Sequence, residues 1–348
     1  MSVRLADSLS VAEAGRIYPD RILGVTNAAV VILVALSLAF AWSMGAHYTG
    51  AVMGMPYASK SIALWPALVS LSAMTLVGAT LASHGVQQTV GLSIVGASRV
   101  TVWMLVVIEL GAFLLTTVYT YFKVPTSTIQ ILVFCIVGTA VSAGIPVNWT
   151  TIWRLAVVWV LAPPAALVLG FLATKLLDRV VPEALLGDAT RQTAVLPKLL
   201  VVVGLAASFV LGANDVSNAI GVWTSIHLAS LIVAGFAGGL LMGIGALTWG
   251  QRILNRVAFD IVKMDLAMAS AAQFVQALVV ILAVTQGLFT SMNQALVGAM
   301  AGAGLARGRE TVQVGTVLGI LKGWAISPIT GASLCFVLYK LVALATTV

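Results

Sequence analysis

Ten apolar stretches divide this chain, and together they restrict its fold more than any other feature. They cover 24–42, 62–82, 100–121, 129–145 and 152–177, then 199–211, 226–248, 266–288, 295–305 and 311–345. A helix of about 20 apolar residues spans the hydrocarbon core of a bilayer. In lipid every backbone N–H and C=O must be satisfied within the protein. Only 8% of the residues are charged and the mean hydropathy is +1.08, against about 25% charged in a soluble domain. The fold expected is an all-α polytopic membrane protein with no room for a sizeable soluble domain. The net charge of +7 lies mainly in loops, where it reads as membrane orientation rather than nucleic-acid binding. Cys135 and Cys335 sit inside apolar runs and give no disulfide or metal signal. Residues 1–22 are polar and lack the apolar core of a cleavable signal before Asp20 and Arg21. They read as an interfacial segment. Gly235, Gly239 and Gly243 have the small-xxx-small spacing of close helix packing.

The two series of stretches look alike. Gly45-Ala46 to Gly54 precedes Gly212-Ala213 to Gly221 by 167 positions (212 − 45). Thr126-Ser127 and Gln130 recur as Thr290-Ser291 and Gln294 after 164 (290 − 126), and Trp159 and Pro163 recur as Trp324 and Pro328 after 165 (324 − 159). One shared register implies an internal duplication. The expected organisation is a polar segment 1–22, repeat 1 over 23–177, a cytoplasmic linker 178–196 and repeat 2 over 197–348, with about five hydrophobic segments per repeat. An odd number of crossings per half inverts the second repeat relative to the first. Basic residues of the linker, of 250–264 (Arg252, Arg256, Lys263) and of 306–310 (Arg307, Arg309) place those loops in the cytoplasm and the C-terminus outside. Arg4, Arg16 and Arg21 conflict with the outside N-terminus that follows.

Polar letters gather at two paired places. One is the decad Gly-Ala-Asn-Asp-Val-Ser-Asn-Ala-Ile-Gly at 212–221 with its counterpart 45–54; the other is Pro125-Thr126-Ser127-Thr128 with Phe289-Thr290-Ser291-Met292-Asn293. The decads predict broken helices whose unwound carbonyls and Asn side chains suit a small cation. The hydroxyl clusters can open half-helices whose free N–H groups suit an anion. Helix caps or interhelical hydrogen bonds are the plainer alternative for those hydroxyls.

The second decad resembles the signature of the PiT inorganic phosphate transporters. The first copy, with Tyr57, Ser59 and Ile62 after it, resembles the CysP-type sulfate permease branch, as does Leu321-Lys322-Gly323-Trp324 with Ser327-Pro328. The resemblance runs from about residue 30 to the C-terminus. It implies two inverted repeats, re-entrant hairpins at the centre, a central oxyanion site, uptake driven by H⁺ or Na⁺, and a homodimer. By that match Asn214, Asp215 and Asn218 fall on the site, and the Thr-Ser pairs fall on the hairpins that complete it.

A phosphate-type first copy would carry Asn-Asp where this chain has His47-Tyr48, and Asn where it has Ala51. One central carboxylate therefore remains. Phosphate near neutral pH has a proton to give a carboxylate; sulfate has none and is repelled by it. Sulfate is the expected substrate, with phosphate the alternative. The expected anion-binding residues are Thr126, Ser127, Thr128, Asn214, Thr290, Ser291, Asn293 and His47. Asp215, Asn218 and His47 are expected to couple H⁺ or Na⁺. Lys322, partnering Asp215 or the anion, and Glu109, which Arg99 could instead pair, are further intramembrane charges. A channel would need a continuous polar pore. No metal set, Gly-x-Ser-x-Gly or ATP-binding loop points to an enzyme or a pump, and no cofactor is expected. The expected place is the cytoplasmic (inner) membrane, multi-pass.

Overall fold

The computed structural model describes residues 27–87, 94–95, 100–122, 124, 126–180, 189–260, 264–312 and 314–346. The segment 1–22, Arg99, Pro125 and linker residues 181–188 lie outside the described residues. The described chain is helical throughout: α1 (Asn27–Ala58), α2 (Leu64–Ala82), α3 (Val102–Tyr121), α4 (Thr128–Ser142), α5 (Trp149–Val180), α6 (Ala189–Ser225), α7 (Leu231–Asp260), α8 (Leu266–Thr285), α9 (Met292–Arg307) and α10 (Val314–Thr346). Eight of these are long and apolar enough to cross a membrane; α4 and α9 are shorter, at 15 and 16 residues. Large apolar side chains stand exposed along the outer helices, such as Val160 at 69% and Ile329 at 67%. In lipid such a surface is favourable rather than a liability.

Both decads lie inside unbroken helices, which corrects the expected breaks. Residues 45–54 belong to α1 and 212–221 to α6, and both stretches are almost wholly buried. Their glycines serve packing instead. A Cβ on Gly45 would lie 1.8 Å from the Met242 carbonyl oxygen of α7, and one on Gly212 would lie 2.0 Å from the Thr75 carbonyl oxygen of α2. Only glycine allows that approach of backbones. Gly235, Gly239 and Gly243 likewise meet α2 at Ala79, Leu76 and Ser72.

The helical path breaks at the Thr-Ser clusters. Ser127 and Ser291 are N-caps, each accepting the amide of the residue three on, Gln130 and Gln294, at 3.4 and 3.3 Å. Each cap opens a short helix that returns beside the one before it. The start of α3 and the end of α4 are tied through Val95 and Val147, with the Asn148 amide on the Ile94 carbonyl at 2.9 Å. At α8 and α9 the tie is ionic. Arg307, ending α9, bonds both Asp178 oxygens at 2.6 and 2.8 Å and Asp265, the α8 cap, at 2.9 Å. α3–α4 and α8–α9 are therefore hairpins whose open ends stay at one surface each, while their tips are buried.

Packing crosses between the halves. α1 lies on α7 and α2 on α6; α4 lies on α10 and α9 on α5. Exchanging the first five helices for the last five maps each pair onto the other. A Cβ on Gly138 would lie 2.1 Å from the Ala332 carbonyl, and one on Gly302 1.9 Å from that of Leu167, so each returning half-helix is seated on the opposite half's last long helix. Trp65, Trp149 and Trp153 are exposed near helix ends and Trp42 stacks on Trp249 at 5.5 Å. Trp223 is buried.

Candidate functional site

His47, Tyr48, Asn214 and Asn218 of the decads each meet a hairpin tip. His47 and Asn214 occupy matched positions (214 − 47 = 167), and each side chain lies against the carbonyl of a matched threonine. His47 Nε2 is 3.2 Å from the Thr126 carbonyl, and Asn214 Nδ2 donates to that of Thr290 at 2.7 Å. The Thr290 amide returns a bond to Asn214 Oδ1 at 3.4 Å. This explains why α1 and α6 need not unwind: side chains reach the carbonyls of the neighbouring hairpin while the helix backbone keeps its own bonds.

The two sides also bind one another. Asn293, second residue of α9, donates to the Thr126 carbonyl at 2.7 Å and lies 3.3 Å from His47 Nε2. His47 Nδ1 is 2.8 Å from the Thr120 hydroxyl, which donates to the Thr116 carbonyl at 2.6 Å. With the Thr120 proton so engaged, Nδ1 is the protonated nitrogen of a neutral ring and Nε2 accepts from Asn293; an imidazolium would donate from both. Tyr48 bonds the Thr128 hydroxyl at 2.9 Å, and Asn218 Nδ2 reaches the same oxygen at 3.4 Å and Met44 Sδ at 3.8 Å.

Asp215 is wholly buried. Its Oδ2 accepts from Asn214 Nδ2 at 2.9 Å, and the Tyr48 and Thr128 hydroxyls approach the same carboxyl. Oδ1 has no hydrogen-bond partner, nor have Asn218 Oδ1, Thr126 Oγ1 and Thr290 Oγ1. Unpartnered polar atoms at zero exposure call for a ligand, an ion or water. These four combine one carboxylate oxygen and one amide oxygen, which suit a cation or proton, with two matched hydroxyls, which suit an anion. The first turns of α4 and α9 add amides that have no intrahelical acceptor, at Thr128, Ile129, Met292 and Asn293.

The structure thus brings together His47, Thr126, Ser127, Thr128, Asn214, Asp215, Asn218, Thr290, Ser291 and Asn293. Ser127 and Ser291 use their acceptor side as caps and keep their O–H. Two expected residues stand apart. Lys322 is exposed on α10, two residues and so about 200° round the helix from the buried Trp324; it cannot pair with Asp215. Glu109 is buried, away from the cluster, on α3. Sequence reading missed Thr120 as a ligand of His47, because one threonine in an apolar helix carries no signal. It treated Tyr48 only as a lost carboxylate, although its position in the decad is that of Asp215. A cavity of about 750 Å³ between α5, α10 and the half-helices touches Gln130 and Gln294 but none of the cluster, and its walls are too apolar to be the anion site.

Known proteins resemble this chain in sequence and in fold. A sulfate permease, CysP of Bacillus subtilis, is 25% identical over 310 residues, 88% of this chain and 86% of its own. A protein of Methanocaldococcus jannaschii named as a phosphate permease is 22% identical over 299 residues, 86% of this chain and 93% of its own. In fold, the chain superimposes on a solved structure described as the sodium-dependent phosphate transporter with a TM-score of 0.82, at 22% identity, over 91% of this chain and 99% of that one. Residues 44–335 match the Phosphate transporter family, and the chain belongs to that family.

Proposed function

We propose that the protein is a secondary active transporter importing a tetrahedral oxyanion, sulfate first, by symport with H⁺ or Na⁺. One observation carries this reading: two capped half-helices point their N-termini at one buried centre, each presenting an unpartnered threonine hydroxyl, Thr126 and Thr290, beside a single carboxylate, Asp215. Hydroxyls, free amides and the positive ends of helix dipoles favour an anion. Asp215, with Asn218 and Asn214, holds the coupling cation or proton, and His47 links the two hairpins.

The reading takes 23–177 and 197–348 as inverted repeats. The exchange symmetry of helix packing supports this, as do the five helices, an odd number, named before the linker among the described residues. One repeat rocking against the other then opens the centre to each side. The inner membrane, a cytoplasmic linker, an outside C-terminus and the homodimer implied by resemblance belong to the same proposal. Sulfate is favoured because Tyr48 stands where a second carboxylate would repel it. Phosphate is the second reading, favoured by the retention of Asp215. Sulfate uptake into proteoliposomes, with phosphate as competitor, under a pH gradient or a Na⁺ gradient, tests both. Saturable sulfate uptake that phosphate does not block supports the first; phosphate uptake that excludes sulfate replaces it with the second; neither uptake overturns the proposal.

A further inference from the structure

The apolar cavity beside the hairpins has polar groups in its wall. It encloses about 750 Å³ between α5, α10 and the half-helices α4 and α9, within the range of pockets that bury one small molecule. Gln130 of α4 and Gln294 of α9 both line it. They are 7% and 3% exposed, and the side-chain oxygen of each has no hydrogen-bond partner. The indole N–H of Trp159, which lines the cavity from α5, has none either. Both glutamines pass over a partner close at hand. Ser127 and Ser291 are the N-caps, so Gln130 and Gln294 hold the third helical position, from which a glutamine can bond back to the amide of the cap. Neither oxygen does so. Buried polar atoms left without partners at matched positions of both halves call for a ligand or for water.

The surroundings of the cavity define what would bind there. Val160, Val168 and Leu321 in its wall are 69%, 54% and 44% exposed, and they stand on α5 and α10, two helices long and apolar enough to cross a membrane. The cavity therefore opens sideways to hydrocarbon, and its occupant comes from the bilayer. Among the described residues no charged side chain lines it, so an ionised group would be buried there without a counter-charge. Gln130 lies 12 residues from the end of α4 at Ser142 (142 − 130), and Gln294 lies 13 from Arg307 (307 − 294). These separations are about 18 and 20 Å along the helices, in a hydrocarbon core about 30 Å thick. Both carboxamides thus stand out of reach of a phospholipid headgroup held at the surface where their hairpin opens. A carboxamide accepts and donates hydrogen bonds, and the terminal torsion of glutamine is soft enough to offer either end. The matching end group does both as well.

We propose that this cavity binds an uncharged single-chain lipid, its chain along the apolar walls and its hydroxyl or un-ionised carboxyl end on Gln130 and Gln294. The site is separate from the cluster around Asp215 and does not depend on which anion the protein carries.

The test uses hexadecanol carrying a diazirine midway along its chain, added to the full-length protein in phosphatidylcholine nanodiscs. After illumination, mass spectrometry of the peptides locates the adducts. Labelling is expected on residues 152–168 and 317–328, which line the cavity; it should saturate, and unlabelled hexadecanol should compete with it. Phosphatidylcholine bearing the same diazirine chain should label these residues no more than other outward-facing helix surfaces. Gln130→Leu combined with Gln294→Leu should weaken labelling roughly tenfold, the effect of losing two ordinary hydrogen bonds. Ala156→Phe with Ala301→Phe fills the cavity from α5 and α9 and should abolish labelling. Equal labelling by the phospholipid probe would make the cavity a groove for boundary lipid and overturn the proposal. Labelling of the paired leucine variant at the wild-type level overturns it too. So does the absence of saturable labelling on these residues, which leaves water or a second copy of the chain as what meets the glutamines. Leucine is close to glutamine in size and removes the unpartnered atoms, so that variant is expected to fold. Should it not, the phenylalanine pair decides, and undiminished labelling in it overturns the site.

Discussion

Replacing Thr126 and Thr290 together by valine separates a binding site from a structural one, because the two roles predict opposite signs for stability. Both hydroxyls are fully buried and neither has a hydrogen-bond partner. Valine keeps the β-branched shape, so little packing is lost. In the anion-free protein each substitution removes an unsatisfied buried polar group, whose burial costs about 1–3 kcal/mol. The apo protein should therefore melt no lower, and by this argument higher, than the wild type. With the anion bound each hydroxyl donates to a charged oxygen, a bond worth about 1.5–3 kcal/mol. Losing one weakens affinity roughly tenfold to a hundredfold, and losing both by roughly the product, since the threonines sit on different hairpins. Sulfate titration of the purified protein by calorimetry gives the affinity, and thermal unfolding in detergent without sulfate gives the stability. Unchanged affinity with a lowered unfolding temperature would refute the reasoning and make these threonines structural.

Three other outcomes follow from the same geometry. Asp215→Asn keeps the Asn214 contact through the new amide oxygen but removes the only carboxylate of the centre; gradient-driven accumulation should be lost, and full accumulation would exclude Asp215 from coupling. Gly302→Ala would force a Cβ to within 1.9 Å of the Leu167 carbonyl, so α9 must lift from α5, with a stability loss of about 2 kcal/mol or more visible as a lowered unfolding temperature. Lys322→Gln alters only an exposed side chain on α10, and transport rate and anion affinity should stay at wild-type values; a large loss in either would return Lys322 to the mechanism.

The membrane fold was legible because its signal is long. Apolar runs and scarce charge leave few alternatives, and helices do follow the runs. The pairing of 45–54 with 212–221 and of 126–127 with 290–291 was legible too, since matched landmarks at one spacing survive whatever the local conformation. The conformation of the decads was not. Gly, Asn and Asp disfavour helix interiors by propensity, and in water Gly212-Ala-Asn-Asp would suit a turn. Here Gly212 is fixed against the Thr75 carbonyl and Asn214 against Thr290, contacts made by residues far away in the chain. Tertiary packing overrode the local preference, and the break moved to the hairpin tips. Lys322 was misplaced for a similar reason: an apolar run shows that a residue is at membrane depth but not which side of the helix faces the core.

The asymmetry within the paired decads argues for how coupling works in the proposed transporter. Positions 47 and 214 set different residues against a hairpin carbonyl at the same place in each decad. Positions 48 and 215 do not: Tyr48 ends in a hydroxyl on Thr128, while Asp215 brings a carboxyl to the same small space. Both helix N-termini lie about that carboxyl, through Thr128 at the start of α4 and through Asn214, which bonds the Thr290 carbonyl before α9. With Asp215 ionised, the dipoles are already partly neutralised and a dianion entering the centre meets like charge. With Asp215 protonated or paired with a cation, the same donors are free for the anion. The cation and the anion then favour each other's binding, and linkage requires that each raise the other's affinity by the same factor. A second carboxylate at position 48 would demand a second neutralising charge or a proton supplied by the substrate, as phosphate supplies one. With tyrosine there, a single cation or proton at Asp215 is enough for an anion that has no proton of its own.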